Sequence, residues 1–137
     1  MSERFWLMKT EPEAYGWDDL LEDGETLWDG VRNHRAAMNL RAMAKGDAAF
    51  FYHSVTGKEI VGVAEISEAG LSDPKDPDGK WAAVRIKPVR ALDRPVTLAE
   101  IKGDAALADI ELVRQSRLSV AEIRPDEWAR IRAMAKA

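Results

Sequence analysis

Cysteine is absent from the 137-residue chain, and histidine occurs only twice, as His34 and His53. The lack of cysteine excludes disulfide bonds, zinc–thiolate sites and cysteine nucleophiles, and two histidines make a histidine-rich metal site unexpected. No apolar run approaches the roughly 20 residues that a membrane-spanning helix needs. The N-terminus lacks the basic start and apolar middle of a signal peptide. We therefore expect a protein with no membrane association, cytoplasmic in a bacterium and nuclear in a eukaryote.

Sequence motifs for several enzyme classes are also missing. The chain contains no Gly-x-Gly-x-x-Gly, no phosphate-binding loop of the Walker type and no Gly-x-Ser-x-Gly elbow. Glu11 and Glu13 lie in one proline-containing loop, which is insufficient for a glycosidase. The adjacent His53 and Ser54 are a poor hydrolytic pair, since neighbours on a strand point to opposite faces. These absences predict a non-catalytic protein without metal or cofactor.

The composition indicates an ordinary globular protein, with 46% hydrophobic and 32% charged residues. Its length suits one domain over residues 1–137, and the sequence shows no heptad seam, so a monomer is expected. The formal net charge is −4, but acidic residues are concentrated in 11–25, where Lys and Arg are absent. The later segments are richer in basic residues, which leaves open either a mixed surface or a basic face for nucleic acid.

Hydrophobic patterning predicts an α+β protein. Strands are expected over 5–8, 48–52, 60–66, 81–89 and 118–123, because these segments are apolar runs or alternate between apolar and polar residues. Helices are expected near 17–21, after an Asn33 cap with a stripe reaching Ala44, after Thr97 and after Pro125. Because the central strands follow one another, we expect a mostly antiparallel sheet that curls into a small β-barrel with helices outside.

Several candidate binding residues lie where predicted strands end. Trp28 precedes Asp29-Gly30 at a turn, so it is either a half-buried core residue or a flat wall for stacking a base. Tyr52, His53 and Ser54 end an apolar strand with three hydrogen-bonding side chains, although His53 alone is more often structural. A base edge needs both donors and acceptors, and this cluster offers both.

Two further groups complete the set of candidates. Lys9, Thr10 and Glu11 follow the first strand, and a carboxylate such as Glu11 can accept a hydrogen bond from an exocyclic amine. Arg117 and Ser119 could hold a phosphate or the other edge of the base, although a surface salt bridge is an equal interpretation for Arg117.

Six segments together resemble the EVE domain, and they occur in the order found in that family. These segments are Trp6-Leu7-Met8-Lys9-Thr10-Glu11-Pro12, Trp28-Asp29-Gly30-Val31-Arg32-Asn33, Gly46-Asp47 with Phe50-Phe51-Tyr52-His53-Ser54, Ile60-Val61-Gly62-Val63-Ala64-Glu65, Pro95-Val96-Thr97-Leu98, and Arg114-Gln115-Ser116-Arg117-Leu118-Ser119-Val120. The resemblance covers nearly the whole chain. It implies a PUA-like fold, related to the YTH domain, and binding of nucleic acid that carries a modified base.

The resemblance also implies roles for particular residues. In YTH domains a lysine–serine pair ends the first strand and a tryptophan forms one wall of a base cage. By position these resemble Lys9-Thr10 and Trp28, with threonine in place of serine. Trp81 is similar in position to a second cage wall, and Asn33 belongs to the Trp28 segment. His34 stands where relatives often carry tyrosine.

Three functions remain open at this point. The first is a non-catalytic reader of a modified base, with 5-methylcytosine or an oxidised derivative in DNA, or a modified base in RNA, as the ligand. The second is an enzyme that acts on a modified nucleotide or small ligand in the same pocket. The third is a protein-interaction adaptor. A reader could also work with an effector nuclease or an RNA-processing partner.

Overall fold

One sheet of six strands organises the protein, which we describe from a computed structural model over residues 4–136. Its strand order is β2-β5-β4-β3-β1-β6, and the β1–β3 pair is parallel while the other neighbouring pairs are antiparallel. The strands are β1 (Phe5–Thr10), β2 (Thr26–Trp28), β3 (Ala48–His53), β4 (Glu59–Ser72), β5 (Ala82–Thr97) and β6 (Val120–Ile123). The predicted α+β class and mostly antiparallel sheet are confirmed.

The sheet curls but does not close into the barrel that we expected. A closed barrel needs its two edge strands to pair with each other. In the part of the chain that the structure describes, β2 pairs with β5 and β6 pairs with β1, so each has one free edge. These two strands are also the shortest of the six, which limits the edge that is exposed.

Helices cover both faces of the sheet. They are α1 (Trp17–Asp23), α2 (His34–Ala42), α3 (Leu98–Lys102), α4 (Glu111–Arg114) and α5 (Pro125–Met134), with a 3-10 turn at Ala105–Leu107. The predicted cap is present, since Asn33 accepts a 2.9 Å hydrogen bond from the Ala36 amide. Helix α2 ends at Ala42, earlier than its apolar stripe suggested, because the Ala44 amide donates to the Asp47 side chain instead.

Side-chain alternation along β1 divides the interior into two hydrophobic clusters. Trp6 and Met8 point to the face covered by α1 and α2, where they join Trp17 and Leu40. Leu7 points to the other face, which α3, α4 and α5 cover. Period-two alternation therefore makes β1 part of both cores, and the residues after Met8 continue the same alternation.

A buried carboxylate joins the start of β3 to β1. Asp47 is 6% exposed, and its Oδ2 accepts hydrogen bonds from Trp6 Nε1 and the Ala44 amide, each at 3.0 Å. A buried carboxylate is tolerated only when such donors replace water. Asp47 thus fixes the two parallel strands whose far ends carry Lys9, Thr10 and His53.

The long β4–β5 hairpin differs from the sequence-based prediction. We expected a loop over 70–80, but β4 continues to Ser72. Its pairing with β5 shifts register between Glu68 and Leu71, and Gly70 takes a left-handed φ of 74°. An irregularity of this kind lets a strand run on through a segment with turn-like composition. Within residues 4–136, no helix has the length and apolarity needed to cross a bilayer.

Candidate functional site

A cavity, which we call the main cavity, lies at the end of β1 beside β2 and the loop that follows it. Its volume is about 650 Å3, within the usual range for ligand sites. Its walls combine aromatic, hydroxyl and cationic side chains with backbone. The lining residues are Lys9, Thr10, Tyr15, Thr26, Leu27, Trp28, Asp29, Gly30, Val31, Arg32, Asn33 and Ser119.

Trp28 is the largest flat surface in this lining. It ends β2, where it pairs with Val84 of β5, and it is half-buried. Its ring system packs perpendicular to Phe51, with 6.0 Å between centroids and 86° between planes. Phe51 is itself fixed by Trp17 at 5.4 Å. The hydrophobic core thus holds Trp28 from one side while the indole lines the cavity, which combines the two interpretations offered by the sequence.

Asp73 holds the loop that follows Trp28. This carboxylate is 1% exposed; its Oδ2 accepts from the Gly30 amide at 2.7 Å and from Arg32 at 2.9 Å. Its Oδ1 accepts from the Lys75 amide at 2.8 Å. Gly30 has a left-handed φ of 77°, which suits glycine at this bend. A residue of the distant β4–β5 loop thereby shapes one wall of the main cavity.

The pKa of Asp73 reflects this arrangement. Burial alone would raise the pKa of the carboxyl group. The hydrogen bonds from Gly30 and Lys75, with the bond and charge of Arg32, outweigh burial and hold the pKa below its usual value. Asp73 therefore carries its negative charge at neutral pH and balances Arg32 at the cavity edge.

The ends of β1 and β3 carry the other predicted polar residues, but on opposite faces of the sheet. In the parallel register Lys9 lies beside Tyr52, and Thr10 lies beside His53. Thr10 lines the main cavity. The Lys9 ammonium instead lies 5.9 Å from the centre of the Tyr52 ring and donates to the Ser116 carbonyl at 3.0 Å. The structure therefore brings Lys9 and Tyr52 together, and separates the Tyr52 side chain from the main cavity.

His53 contacts the start of α1. Its Nε2 accepts a 3.1 Å hydrogen bond from the Trp17 amide, and its ring meets the edge of Phe51 at 5.8 Å. Burial lowers the pKa of His53, although Glu59, Asp18 and Glu13 oppose the shift. A neutral imidazole is the form that can accept at Nε2. These contacts give His53 a structural position beneath the main cavity, outside its lining.

Trp81 lies away from the main cavity, beside a smaller one of about 220 Å3. Its ring stacks on His34, with 5.0 Å between centroids and 28° between planes. The guanidinium of Arg32 lies 5.5 Å from the Trp81 ring. Because Arg32 also lines the main cavity, it connects the two regions, but the structure does not bring Trp81 opposite Trp28.

The remaining predicted residues surround the main cavity or lie at a distance from it. Ser119 and Asn33 line it, and Asn33 also lines a shallow cavity of about 290 Å3 together with Arg117. Ser54 lines a different cavity on the opposite face of the sheet. Glu11 is exposed, and its carbonyl accepts hydrogen bonds from the Ala14 and Tyr15 amides, each at 2.9 Å.

Sequence reasoning did not select Tyr15, Thr26 or Arg32 as site residues. Tyr15 is half-buried, and its hydroxyl donates to Asp23 at 2.8 Å; burial raises the pKa of its phenol. It lies in a turn, where no periodicity marks its direction. Arg32 lies four residues after Trp28 in the same segment. That closeness to a candidate binding residue could have identified Arg32 from the sequence.

Comparisons with known proteins agree on one family. The family model of the EVE domain matches residues 4–134. Rpa0253 of Rhodopseudomonas palustris, solved by NMR, is 44% identical with a TM-score of 0.93, covering 97% of this chain and 93% of that one. Human thymocyte nuclear protein 1 is 31% identical over 157 residues, which are 90% of this chain and 70% of the human protein.

Two structures with bound nucleic acid are also similar. The human THYN1 protein in complex with DNA containing 5-methylcytosine has a TM-score of 0.89 at 30% identity, covering 98% of this chain and 99% of that one. The YTH domain of Zygosaccharomyces rouxii MRB1, in complex with N6-methyladenosine RNA, has a TM-score of 0.62 at 19% identity, covering 98% of this chain and 88% of that one. The second likeness is one of fold alone.

Proposed function

Because the chain belongs to the EVE domain family, we propose that it binds nucleic acid and captures one modified base in the main cavity. The leading ligands are 5-methylcytosine or an oxidised derivative in DNA, with a modified RNA base as the alternative. The main observation in support is a cavity of about 650 Å3 in which the Trp28 indole, packed against the core, lies beside hydroxyl and cationic residues. The DNA bound to the human relative supports this ligand class.

Stacking on Trp28 provides the main contribution to capture. A base must leave its stack before a protein can enclose it, which costs a few kcal/mol. Stacking on an aromatic side chain returns about 1–3 kcal/mol per base. Phe51 packs perpendicular to the indole, so little rotamer freedom is lost when the base arrives, and this preorganisation favours binding.

Polar groups around Trp28 can read the edge of the base. Thr10 and Ser119 offer hydroxyl groups that both donate and accept, and Asn33 and Asp29 are further polar residues of the lining. Val31, which is 7% exposed, adds apolar surface. Burying one extra methyl group is worth about 0.8 kcal/mol. We therefore expect a methylated base to bind roughly fourfold more tightly than its unmodified counterpart through this contribution alone.

Cations near the cavity supply an electrostatic contribution despite the net charge of −4. Arg32 lines the main cavity, and Arg117 lines the neighbouring shallow cavity. Among residues 4–136, Arg117 has no carboxylate within salt-bridge distance. Binding through phosphate contacts should weaken as salt rises, with a logarithmic slope of about 0.7 per contacted phosphate on single strands. An affinity independent of salt would argue against nucleic acid.

The geometry favours binding over catalysis. His53 Nε2 already accepts from the Trp17 amide, and Ser54 lines a cavity on the other face of the sheet, so this pair does not form a nucleophile and base. In the described residues, no group of three His, Asp or Glu side chains is placed to hold a metal ion. A turnover assay with modified nucleosides and oligonucleotides tests the enzymatic alternative. The monomeric state, the cytoplasmic location and an effector partner stay predictions.

A pair of tryptophan variants tests the proposal. Trp28→Ala should weaken binding of an oligonucleotide with one modified base about fivefold to 160-fold, because base stacking is lost. Trp81→Ala is the comparison variant: its half-buried indole lies outside the main cavity but contacts Arg32 at 5.5 Å, so we expect a smaller loss from it. Fluorescence anisotropy at fixed salt, over modified and unmodified DNA and RNA, gives the affinities. Equal losses in the two variants, or a Trp28→Ala protein that binds normally, would contradict the proposal.

A further inference from the structure

The opposite face of the sheet carries a second cavity, which we call the lysine cleft. Its volume is about 530 Å3, and it is lined by Lys9, Lys58 and Lys102 together with seven uncharged residues. The lining contains no carboxylate. Tyr52, Leu98, Leu112 and Val113 provide an apolar floor. The lysine cleft thus combines a cationic rim with a hydrophobic base, which is an arrangement suited to an anion attached to an apolar or aromatic group.

Lys9 is a cation without a neighbouring anion in the described part of the chain. Its ammonium donates to the Ser116 carbonyl at 3.0 Å, and no carboxylate of residues 4–136 lies within 4 Å of it. Burial lowers its pKa, and no charge partner opposes that shift. A half-buried ammonium that faces a cavity without a counter-ion is stabilised when an anionic ligand arrives.

A backbone hydrogen bond joins the two segments that carry the other two lysines. The Lys58 carbonyl accepts a 2.9 Å hydrogen bond from the Leu98 amide, which opens α3. Lys102 lies in the last turn of the same five-residue helix. The turn between β3 and β4 and the helix α3 therefore form one unit that carries two cations. A ligand between them would contact both, and the Lys9 ammonium lies in the same lining.

The turn that bears Lys58 has an uncommon backbone. Val55 has a φ of 68° and Lys58 a φ of 38°, and they are the two non-glycine residues in the left-handed region within residues 4–136. A β-branched residue rarely adopts this region. Both residues line the lysine cleft, and Val55 is 64% exposed. The turn therefore holds a backbone shape that such residues rarely adopt, at a point where both residues line the lysine cleft.

We propose that the lysine cleft is a second ligand site, which binds a phosphate group attached to a sugar and base. The phosphate could belong to a nucleic-acid strand or to a free nucleotide. Phosphate is the anion that ammonium groups commonly bind as point charges. The uncharged hydroxyl groups of Ser54 and Ser116 are available in the lining for its remaining oxygens. This site does not depend on base capture in the main cavity.

Amide NMR titration of the full chain tests this site with three probes. The probes are inorganic phosphate, a nucleoside 5′-monophosphate and an unmodified single strand of five nucleotides. We expect the monophosphate or the strand to shift amides of 54–58 and 98–102. Lys58→Gln/Lys102→Gln should weaken this binding at least about tenfold, because two charge-assisted contacts are lost. Lys45→Gln/Lys136→Gln, which removes the same charge outside both linings, should change it less than twofold.

The same titration identifies the source of the phosphate and separates the two sites. Tighter binding of the strand than of the monophosphate indicates a strand phosphate, and the reverse order indicates a free nucleotide. Trp28→Ala should leave the amide shifts in the lysine cleft unchanged. Loss of base binding in the main cavity can therefore be distinguished from loss of binding in the lysine cleft. Shifts confined to 26–33, absence of shifts with all probes, or equal loss in the control variant would overturn the proposal.

Discussion

Asp73→Asn is the sharpest test of how the main cavity is built. The substitution keeps the size of the side chain but replaces one carboxylate oxygen by an NH2 group. Oδ2 accepts from Gly30 and Arg32, and Oδ1 accepts from Lys75. In either amide orientation the NH2 group of the asparagine therefore faces at least one donor, which loses its acceptor. The single remaining oxygen can accept only from the donors on its own side of the side chain.

The expected cost follows from these bonds. A hydrogen bond to a charged group contributes about 1.5–3 kcal/mol, and a buried donor left unpaired loses the full amount. We expect Asp73→Asn to lower the free energy of unfolding by about 2–3 kcal/mol, equivalent to roughly 6–12 °C in Tm for a chain of this length. Affinity for a modified-base oligonucleotide should fall as well, because the loop carrying Gly30 and Arg32 is no longer held beside Trp28.

The loss should depend on pH in a defined direction. The pKa of Asp73 in the folded protein lies below its usual value, so the folded state favours the charged form. The stabilisation is complete above about pH 4, the unfolded value, and is lost as pH falls through the folded pKa. The difference in stability between wild type and Asp73→Asn should therefore be constant near neutral pH and narrow below about pH 4.

Urea denaturation across pH, together with anisotropy at neutral pH, measures both effects. Asp78→Asn is the matched control, because that exposed carboxylate belongs to the same loop. If Asp73→Asn matched the control in stability and in affinity, the loop would not depend on the buried carboxylate. A stability difference that persisted unchanged at pH 2 would refute the ionic part of the argument.

Two further substitutions address the core behind the cavity and the polar edge within it. A Cβ on Gly62 would lie 2.5 Å from the Trp17 ring, so Gly62→Ala should lower the free energy of unfolding by about 1–3 kcal/mol. Gly103→Ala is the control, because the nearest atom to a Cβ there is 3.5 Å away and no loss is expected. Equal chemical denaturation curves for the two variants would contradict this prediction. Thr10→Val keeps the shape of the side chain but removes the hydroxyl, so affinity for a modified oligonucleotide should fall about twofold to tenfold while stability is preserved. An unchanged titration would show that the Thr10 hydroxyl makes no contact with the base.

The sequence was most informative where an apolar run stopped. The end of β1 at Lys9-Thr10 and the end of β3 at Tyr52-His53 follow directly from such stops. The alternation of strand side chains also predicts that Tyr52 and His53 point apart. What no local pattern shows is the parallel register that sets Lys9 beside Tyr52 and Thr10 beside His53. That register decides which polar residues share a cavity.

Tertiary contacts explain the features that the sequence did not predict. The strand β2 forms because it pairs with β5. Its three residues are too few to show the alternation that identifies a strand in a sequence. The distance between Trp28 and Trp81 likewise depends on the β4–β5 hairpin, whose irregular register places Trp81 against His34. Asp73 looked like one more residue of a loop rich in Asp and Pro. Its importance comes from burial against Gly30 and Arg32, far away in the chain.

The end of β1 has consequences for both cavities because it is anchored twice. The Lys9 amide donates to the Ser119 carbonyl at 2.9 Å, and the Lys9 ammonium donates to the Ser116 carbonyl at 3.0 Å. Thr10 lines the main cavity, whereas Lys9 belongs to the lining of both cavities and turns its ammonium to the Ser116 carbonyl on the side of the lysine cleft. The turn at 116–119 separates the two openings while contributing to the lining of each. Both proposed sites therefore share the wall formed by Lys9 and the turn at 116–119.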